Sequence, residues 1–202
     1  WVQVVYGAGD VGSQLIDQRP EKIFFTGSVK KKKKIMAQAS QQLIPVELEL
    51  GGKDPMLVFD NVTVERAVQG ARWGALTNVG QSCTSVERLY VQRGIYKDFR
   101  DRLVAAAKQI TLGIDTDGSS DMGRMTSPRQ VSIVSELVND AKANGATLLC
   151  GSEWDGKSEF IPPIIIEGST HAMRINQEEL FGPVVTIFPF DTEEEAVRMA
   201  ND

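Results

Sequence analysis

Short apolar runs alternate with amphipathic segments at the start of the chain. A β-rich run at 2–6 leads into a glycine-bearing turn and then a helical pattern that ends near Arg19. A predicted strand at 22–26, a helix at 29–42 and a strand at 45–50 follow. Strands that alternate with helices in this way are typical of parallel α/β units. The pattern therefore predicts an α/β fold with a parallel sheet.

The alternation continues to the end of the chain. Further strands are predicted at 55–60, 88–92, 147–150 and 184–189, and further helices at 63–77, 96–109, 127–144 and from Thr192 onward. Ser127 and Thr192 are each followed three residues later by Gln or Glu, which is the pattern of a capping box. A polar loop at 112–123 separates two of the units. We expect one continuous α/β organisation with no internal repeat.

Composition narrows the class of protein. The 202 residues suffice for one large domain, or for one domain and part of another. A net charge of -5 does not favour a nucleic-acid partner. No apolar run approaches the roughly 20 residues of a membrane span, and no export signal is present, so we expect a soluble, cytoplasmic protein without a membrane partner. Two cysteines are too few for a disulfide framework and fit a reducing compartment.

The ends of the sequence suggest a piece of a longer protein. The chain opens inside the run at 2–6 without an initiator Met, and it stops at Asp202 close to the last predicted helix. We therefore expect the fold to be represented in part.

A glycine motif follows the first predicted strand. Gly7-x-Gly9-x-x-Gly12 has the form of a dinucleotide fingerprint, in which glycines let the backbone approach a pyrophosphate at a helix N-terminus. A tight strand-to-helix turn explains the same residues. The acidic residue that the fingerprint places about 20 positions later is not convincingly present. Both interpretations stay open on the motif alone.

Cys83 is the more informative candidate. It lies in a small polar loop after a predicted helix, where a thiol can meet a ligand, whereas Cys150 ends an apolar run typical of a structural thiol. The only histidine, His171, lies in a polar loop and is expected at the surface, so the usual Cys–His pair is not expected. The carboxylate candidate for a base is Glu49, at a strand end. A structural thiol and a solvated glutamate are the alternatives.

Four short motifs follow one another along the chain in a particular order. They are Phe25-Thr26-Gly27-Ser28, Glu49-Leu50-Gly51-Gly52-Lys53, Gly80-Gln81-Ser82-Cys83 and Glu178-Glu179-Leu180-Phe181-Gly182-Pro183. In order and approximate spacing they resemble the signatures of the NAD(P)-dependent aldehyde dehydrogenase family. The resemblance extends over the whole chain, which corresponds to under half of a typical member. It implies a partial Rossmann-like dinucleotide-binding domain at 1–50 and a C-terminally incomplete catalytic domain at 51–202.

The resemblance also implies a mechanism. Cys83 as thiolate would attack the aldehyde carbon to give a thiohemiacetal, whose oxyanion the Cys83 backbone N–H can stabilise. Hydride transfer to the nicotinamide would leave a thioacyl enzyme. Glu49 would then deprotonate a water that hydrolyses the thioester to the carboxylic acid, a task suited to a partly buried carboxylate. Because Glu49 is present, hydrolysis is favoured over transfer of the acyl group to a thiol such as coenzyme A.

Cofactor contacts are implied residue by residue for NAD or NADP. Gly27 and Ser28 match the family turn that faces the pyrophosphate. Glu179 matches the carboxylate that holds the nicotinamide ribose hydroxyls, and Phe181 matches the ring packed near the nicotinamide. Gly51 and, more weakly, Gly9 are further cofactor-binding candidates, and no metal ligand is among them. The implied partners are a small-molecule aldehyde and, for a full-length parent, further copies of the same chain.

The sequence departs from the family pattern in two respects. Five residues after Gly27 the family usually has a glycine, whereas this chain has Lys32 within a lysine run. A side chain there can crowd the cofactor, or its ammonium can pair with phosphate, although a lysine run usually forms a solvated helix face. The family's oxyanion-hole asparagine and ribose-binding lysine belong to segments that precede Trp1.

Three functional readings remain. The first is an NAD(P)-dependent oxidoreductase that converts an aldehyde to a carboxylic acid. The second is a truncated, non-catalytic module that serves a structural or self-association role. The third is a cofactor-independent cysteine hydrolase, since Cys83 and Glu49 alone could acylate and deacylate. The sequence identifies neither the aldehyde nor the choice between NAD and NADP.

Overall fold

The computed structural model describes all residues from Trp1 to Asp202. They divide into two compact units, Trp1–Gly51 and Gly52–Asp202. Helices and parallel strands alternate in both units, so the predicted α/β fold class is confirmed. None of the helices combines the length and the apolar composition that crossing a bilayer would require.

The first unit consists of two helices that alternate with two strands. Its elements are α1 (Gly9–Asp17), β1 (Ile23–Gly27), α2 (Val29–Ser40) and β2 (Val46–Leu50). The strands pair in parallel, with Ile23 opposite Val46 and Gly27 opposite Leu50. Ile16, Ala39 and Ile44 form its buried apolar cluster. The two predicted strands and the helix between them are confirmed.

The strand predicted at 2–6 is wrong. These residues form no regular element, and Trp1, Val2 and Tyr6 are exposed. A β-strand is defined by hydrogen bonds to a neighbour, and the sheet of this unit contains β1 and β2 alone. The run therefore has the composition of a strand but no neighbouring strand with which to pair.

The second unit contains the larger sheet and its covering helices. Its elements are β3 (Asp54–Val58), α3 (Val64–Leu76), a 3-10 turn (Thr77–Gly80), β4 (Val86–Gln92), α4 (Arg93–Ala107), α5 (Pro128–Ala143), β5 (Thr147–Cys150), β6 (Ile164–Glu167), α6 (Arg174–Gln177), β7 (Val184–Phe190) and α7 (Glu193–Ala200). The strand order is β3-β4-β7-β6-β5. All pairs are parallel except β5–β6. The sheet therefore ends in one reversed edge strand.

The centre of this sheet is buried on both faces. Leu89, Tyr90 and Val91 of β4 are fully buried, and so is almost all of β7. The apolar faces of α3, α4 and α5 join these strands in one continuous core. Continuous burial explains why these strands are apolar at successive positions rather than at alternate ones.

Several boundaries and elements differ from the prediction. Strand β4 begins two residues before the predicted Arg88, and α4 begins at Arg93 instead of 96. Neither β6 nor α6 was predicted. The run that becomes β6 follows Pro162-Pro163 and is short, so it carries little periodicity.

Of the two predicted capping boxes, one forms in part, because the Glu195 carboxylate accepts the Asp191 N–H rather than the Thr192 N–H. The Thr192 side chain accepts a hydrogen bond from the Glu195 N–H at 3.3 Å. Ser127 precedes α5 as expected, but its side chain makes no capping hydrogen bond. The Gln130 amide instead donates to the Leu180 carbonyl at 2.6 Å, because a tertiary acceptor competes for it.

Candidate active-site residues

Four candidate residues of the first unit lie at the carboxyl end of its two strands. In the parallel pairing Thr26 lies opposite Glu49, and Gly27 lies opposite Leu50. Ser28 and Gly51 follow directly on each strand. The carboxyl ends of parallel strands are where α/β proteins bind ligands. The two motifs that contain Gly27 and Glu49 are therefore brought together within this unit.

Glu49 is exposed at this edge. Its side chain forms no hydrogen bond or ion pair in the structure, unlike Glu47 two residues earlier, which pairs with Lys22 at 2.7 Å. The partial burial expected for a base is absent within this unit. The carboxylate is free to accept a hydrogen bond from a ligand or a water.

Helix α2 begins immediately after the Gly27 turn. Ser28 is its N-cap residue, and its carbonyl accepts the N–H groups of Lys31 and Lys32 at 3.0 Å. The N–H groups of a first helical turn lack intrahelical partners and favour anions. Lys32 is half-buried, while the other lysines of the run are exposed, as a solvated face requires. Gly9 lies exposed at the start of α1.

Cys83 lies in an exposed turn between α3 and β4. The Ser82 and Thr84 hydroxyls are 3.1 Å apart across the turn, and the Ser85 N–H donates to the Ser82 carbonyl at 3.1 Å. The Cys83 backbone N–H has no acceptor within the protein. The thiol and this N–H are both available to a ligand.

The chain just before the turn is held in an unusual conformation. Asn78, Val79 and Gly80 have φ values of 53°, 62° and 67°. The Gln81 side-chain oxygen accepts both the N–H and the hydroxyl of Thr126 at 2.9 Å. Positive φ at a β-branched residue such as Val79 is strained and persists only where the surroundings impose it. The cysteine turn is therefore exposed but firmly anchored.

The only histidine lies elsewhere. His171 Nδ1 is 2.9 Å from Asp202 Oδ2, and its ring packs against Tyr90 and Phe188. Its side chain is 22% exposed, so the expected surface location is only partly correct. None of these partners belongs to the Cys83 turn, and a Cys–His pair is not formed.

The Glu178–Phe181 segment carries the remaining candidates. Glu179 is half-buried, and burial, with a smaller contribution from the nearby Glu87 carboxylate, raises its pKa above the ordinary value. Phe181 has a φ of 48°. The backbone N–H groups of Leu180 and Phe181 donate to the Glu87 carboxylate at 3.0 and 3.1 Å. The segment is thus fixed by contacts to its backbone.

The sequence reasoning missed Glu87 and gave Lys53 no role. The two form a buried ion pair of 2.5 Å, with side chains 3% and 9% exposed. The available signal was the Glu87-Arg88 pair inside an otherwise apolar strand, because charged residues are rarely fully buried unless paired. The partners lie 34 and 93 positions away along the chain, where periodicity cannot find them.

A parallel α/β fold and a cysteine in an anchored, exposed turn define an α/β protein with a candidate nucleophilic thiol. The model of the aldehyde dehydrogenase family matches residues 1–202, and the chain belongs to that family. The resemblance of the four ordered motifs is confirmed at this level.

Curated relatives and solved structures agree. The chain is 42% identical to 4,4'-diapolycopene aldehyde oxidase of a Methylomonas species, covering 100% of the chain and 37% of that protein. It is 40% identical to betaine aldehyde dehydrogenase of Brucella ovis, covering 98% and 42%. The structure superposes on betaine aldehyde dehydrogenase of Staphylococcus aureus in complex with NAD+ with a TM-score of 0.90 and 35% identity, covering 98% of this chain and 40% of that one. The chain thus spans about two fifths of the length of these relatives.

Proposed function

We propose that the chain carries catalytic residues of an NAD(P)-dependent aldehyde dehydrogenase, which oxidises an aldehyde to a carboxylic acid. The observation that carries the proposal is Cys83, which lies in an exposed turn within the Gly80-Gln81-Ser82-Cys83 segment that resembles a family signature. In this proposal residues 1–50 belong to the dinucleotide-binding domain and residues 51–202 to the catalytic domain.

The first step is assigned to the Cys83 thiolate. It attacks the aldehyde carbon, and the carbonyl oxygen becomes the oxyanion of a thiohemiacetal. The Cys83 backbone N–H, which has no acceptor within the protein, is available to donate to this oxygen. The anchoring of the turn through Gln81 keeps the nucleophile in one position, which lowers the entropic cost of attack.

Each unit by itself offers groups that suit part of a nicotinamide dinucleotide. The start of α2 after Gly27 offers unpaired N–H groups of the kind that bind a pyrophosphate. Glu179 offers a carboxylate for ribose hydroxyls, and Phe181 offers an aromatic ring. When bound, the nicotinamide supplies the acceptor for the hydride that leaves the thiohemiacetal carbon. Gly51 and Gly9 are assigned as further backbone contacts, and the Lys32 ammonium as a phosphate partner.

The last step is assigned to Glu49. Its carboxylate has no partner in the structure and is therefore free to accept a proton from water. The resulting hydroxide attacks the thioester carbon on Cys83, and the carboxylic acid leaves as the thiol is restored. This role rests on the position of Glu49 in its motif.

The substrate is proposed only as an aldehyde. The relatives are named for betaine aldehyde, a small cation, and for a diapolycopene aldehyde, a long apolar polyene. These substrates share little beyond the aldehyde group, so a test panel needs a short cationic aldehyde, a short neutral one and a long apolar one.

The test is turnover by the purified chain with NAD or NADP and this panel, followed by the absorbance of the reduced cofactor. Cys83→Ala should abolish turnover, while Cys150→Ala serves as the matched control and should retain it. Glu49→Gln should allow one burst of reduced cofactor per active site and then block hydrolysis.

Other results would identify the competing functions. Turnover of a nitrophenyl ester without cofactor, lost in Cys83→Ala, with no aldehyde oxidation would identify a cysteine hydrolase. Absence of both activities and of NAD(P) binding would contradict the proposal and leave a non-catalytic module.

A further inference from the structure

Glu87 is a buried carboxylate whose side-chain contacts all lie on two parts of the chain. It is 2% exposed and lies near the start of the inner strand β4. Oε2 accepts Lys53 Nζ at 2.5 Å, both oxygens accept the Leu180 N–H at 3.0 Å, and Oε1 accepts the Phe181 N–H at 3.1 Å. A buried carboxylate is costly unless it is paired and hydrogen-bonded. Every one of these bonds goes to Lys53 or to the Glu178–Phe181 segment.

Lys53 connects to the same segment. Its Nζ donates to the Glu178 carbonyl at 2.8 Å as well as to Glu87. Its own carbonyl accepts two hydrogen bonds from Arg88, at 2.7 and 3.0 Å, which fix the backbone from which the side chain extends. Burial lowers the lysine pKa, and the neighbouring Glu87 carboxylate opposes that effect. The ammonium therefore ties one carboxylate and one backbone carbonyl together.

The Glu178–Phe181 segment has no helix or strand of its own. Side chains meet four of its backbone polar groups: Glu87 accepts from two N–H groups, Lys53 donates to the Glu178 carbonyl, and Gln130 donates to the Leu180 carbonyl at 2.6 Å. Buried backbone groups need such partners. The positive φ of Phe181 shows that the contacts impose a particular backbone path.

We propose that Lys53 and Glu87 are positioning residues that hold the Glu178–Phe181 segment in the conformation in which Glu179 and Phe181 meet the nicotinamide half of the cofactor. The inference rests on the proposed function, which assigns those two contacts. Apolar residues of similar size would fill the same volume without the cost of burying charge. Unlike apolar side chains, the charged pair makes directional hydrogen bonds, which fix the positions of the Leu180 and Phe181 N–H groups and of the Glu178 carbonyl.

The pair also sets the charge beside Glu179. Burial raises the pKa of Glu179, the Glu87 carboxylate raises it further, and Lys53 opposes both effects. Removing Lys53 alone leaves an uncompensated buried carboxylate next to Glu179. Replacing both members restores neutrality, so the double variant should be less impaired than the lysine variant alone.

The experiment compares Glu87→Gln, Lys53→Met and the double variant with the wild-type chain. Glu167→Gln is the control, since Glu167 is a half-buried carboxylate that is likewise paired, with Tyr96 at 2.7 Å and Arg100 at 3.0 Å. Amide hydrogen exchange over 178–182 measures how well the backbone of the segment is protected. Titration calorimetry with NAD measures the affinity for the cofactor. Alkylation of Cys83 by iodoacetamide and circular dichroism check that the rest of the unit is intact.

Glu87→Gln should raise exchange at Leu180 and Phe181 and weaken NAD binding, each about tenfold, because hydrogen bonds to a buried charge are lost. Lys53→Met should raise exchange and weaken NAD binding by more than Glu87→Gln does. The double variant should lie closer to wild type than Lys53→Met in both measurements. Cys83 alkylation should stay within about twofold. Should a charge variant fail to fold, Gln130→Leu removes a neutral contact to the same segment and should raise exchange there more modestly.

Unchanged exchange over 178–182 in these variants would overturn the inference. Faster exchange with unaltered NAD affinity would overturn the positioning role and leave a purely structural one. A wild-type chain that binds no NAD would contradict the proposed function instead, and hydrogen exchange would still decide whether Lys53 and Glu87 hold the segment.

Discussion

Cys83 and Cys150 lie in the same unit, in opposite surroundings. The Cys83 thiol is exposed in a polar turn whose hydrogen bonds involve the flanking hydroxyls. The Cys150 thiol closes an edge strand, where its Sγ donates to the Pro163 carbonyl at 3.3 Å and burial raises its pKa. Thiol chemistry depends on access and on the thiolate form. Cys83 has the access, whereas burial both shields Cys150 and disfavours its thiolate.

The backbone beside each cysteine is held in a defined conformation, whether the thiol is exposed or buried. Residues 78–80 hold the Cys83 turn in a fixed path although the turn faces solvent, and the buried Cys150 is followed by Gly151, another residue of positive φ. Exposure of the Cys83 turn is therefore not accompanied by a loose backbone. Each of the following experiments probes Cys83 and its turn, Cys150, or both.

The largest expected effect is in the rate of alkylation. Iodoacetamide should modify Cys83 in the native chain on the order of a thousandfold faster than Cys150, because Cys150 reacts only through opening of the core. Peptide mass spectrometry over time measures both rates in one sample. Adding urea to the unfolding midpoint should bring the rates together, and comparable rates without urea would contradict the assignment of Cys83 as the accessible thiol.

A methyl group at position 80 should loosen the support of the turn. Gly80→Ala adds a Cβ at φ 67° against the carbonyl oxygens of Gly182 and Ala75, so the free energy of unfolding should fall by about 3 kcal/mol or more. Gly145→Ala is the matched control: its φ is 95° with nothing near the added Cβ, and it should cost about 1 kcal/mol. Urea denaturation followed by tryptophan fluorescence measures both, and equal losses would show that the backbone contacts at position 80 do not matter.

The two thiols should differ in their structural contribution. Cys150→Ala removes a buried sulfur and leaves the Pro163 carbonyl without its donor, so the free energy of unfolding should fall by about 1–2 kcal/mol. Cys83→Ala removes an exposed group and should change it by less than about 0.5 kcal/mol. The same denaturation series measures both, and a larger loss in Cys83→Ala would reverse the comparison.

The smallest effect is in the pH dependence of stability. The folded Cys150 thiol has a pKa above its ordinary value of 9.0, so the unfolded chain releases this proton first as the pH rises. Stability is retained below that pH and lost above it, by at most about 1.4 kcal/mol per pH unit. The buried Tyr90 and the half-buried Tyr96 act in the same direction, so the informative quantity is the difference between wild type and Cys150→Ala. A difference that does not change between pH 8 and 10 would contradict the burial argument.

The sequence was most informative where local pattern decides structure. Helix α3 and strand β2 follow from the spacing of apolar residues, and the family follows from four ordered motifs. The run at 2–6 has the composition of a strand but lacks a partner in its sheet, and a partner is not encoded locally. The roles assigned to Cys83 and Glu49 stay predictions that the activity tests above address.

Long-range pairing explains what the sequence concealed. Glu87 stands in a strand where a charge would be expected to face solvent, yet it is buried because Lys53 and the Leu180 N–H reach it from distant positions. The left-handed backbone at Val79 is equally hidden, since a β-branched residue is a poor predictor of positive φ. Both features depend on the assembled core.

The edges of the five-stranded sheet have a consequence for the behaviour of the chain at high concentration. One outer strand, β3, contains Pro55 and a register shift beside it, and the other, β5, has four residues and a second shift. Long, regular, unpaired strands recruit strands from other molecules into fibrils, whereas proline, irregularity and shortness discourage this growth. Both edge strands of the sheet therefore have features that discourage pairing with a strand of another molecule.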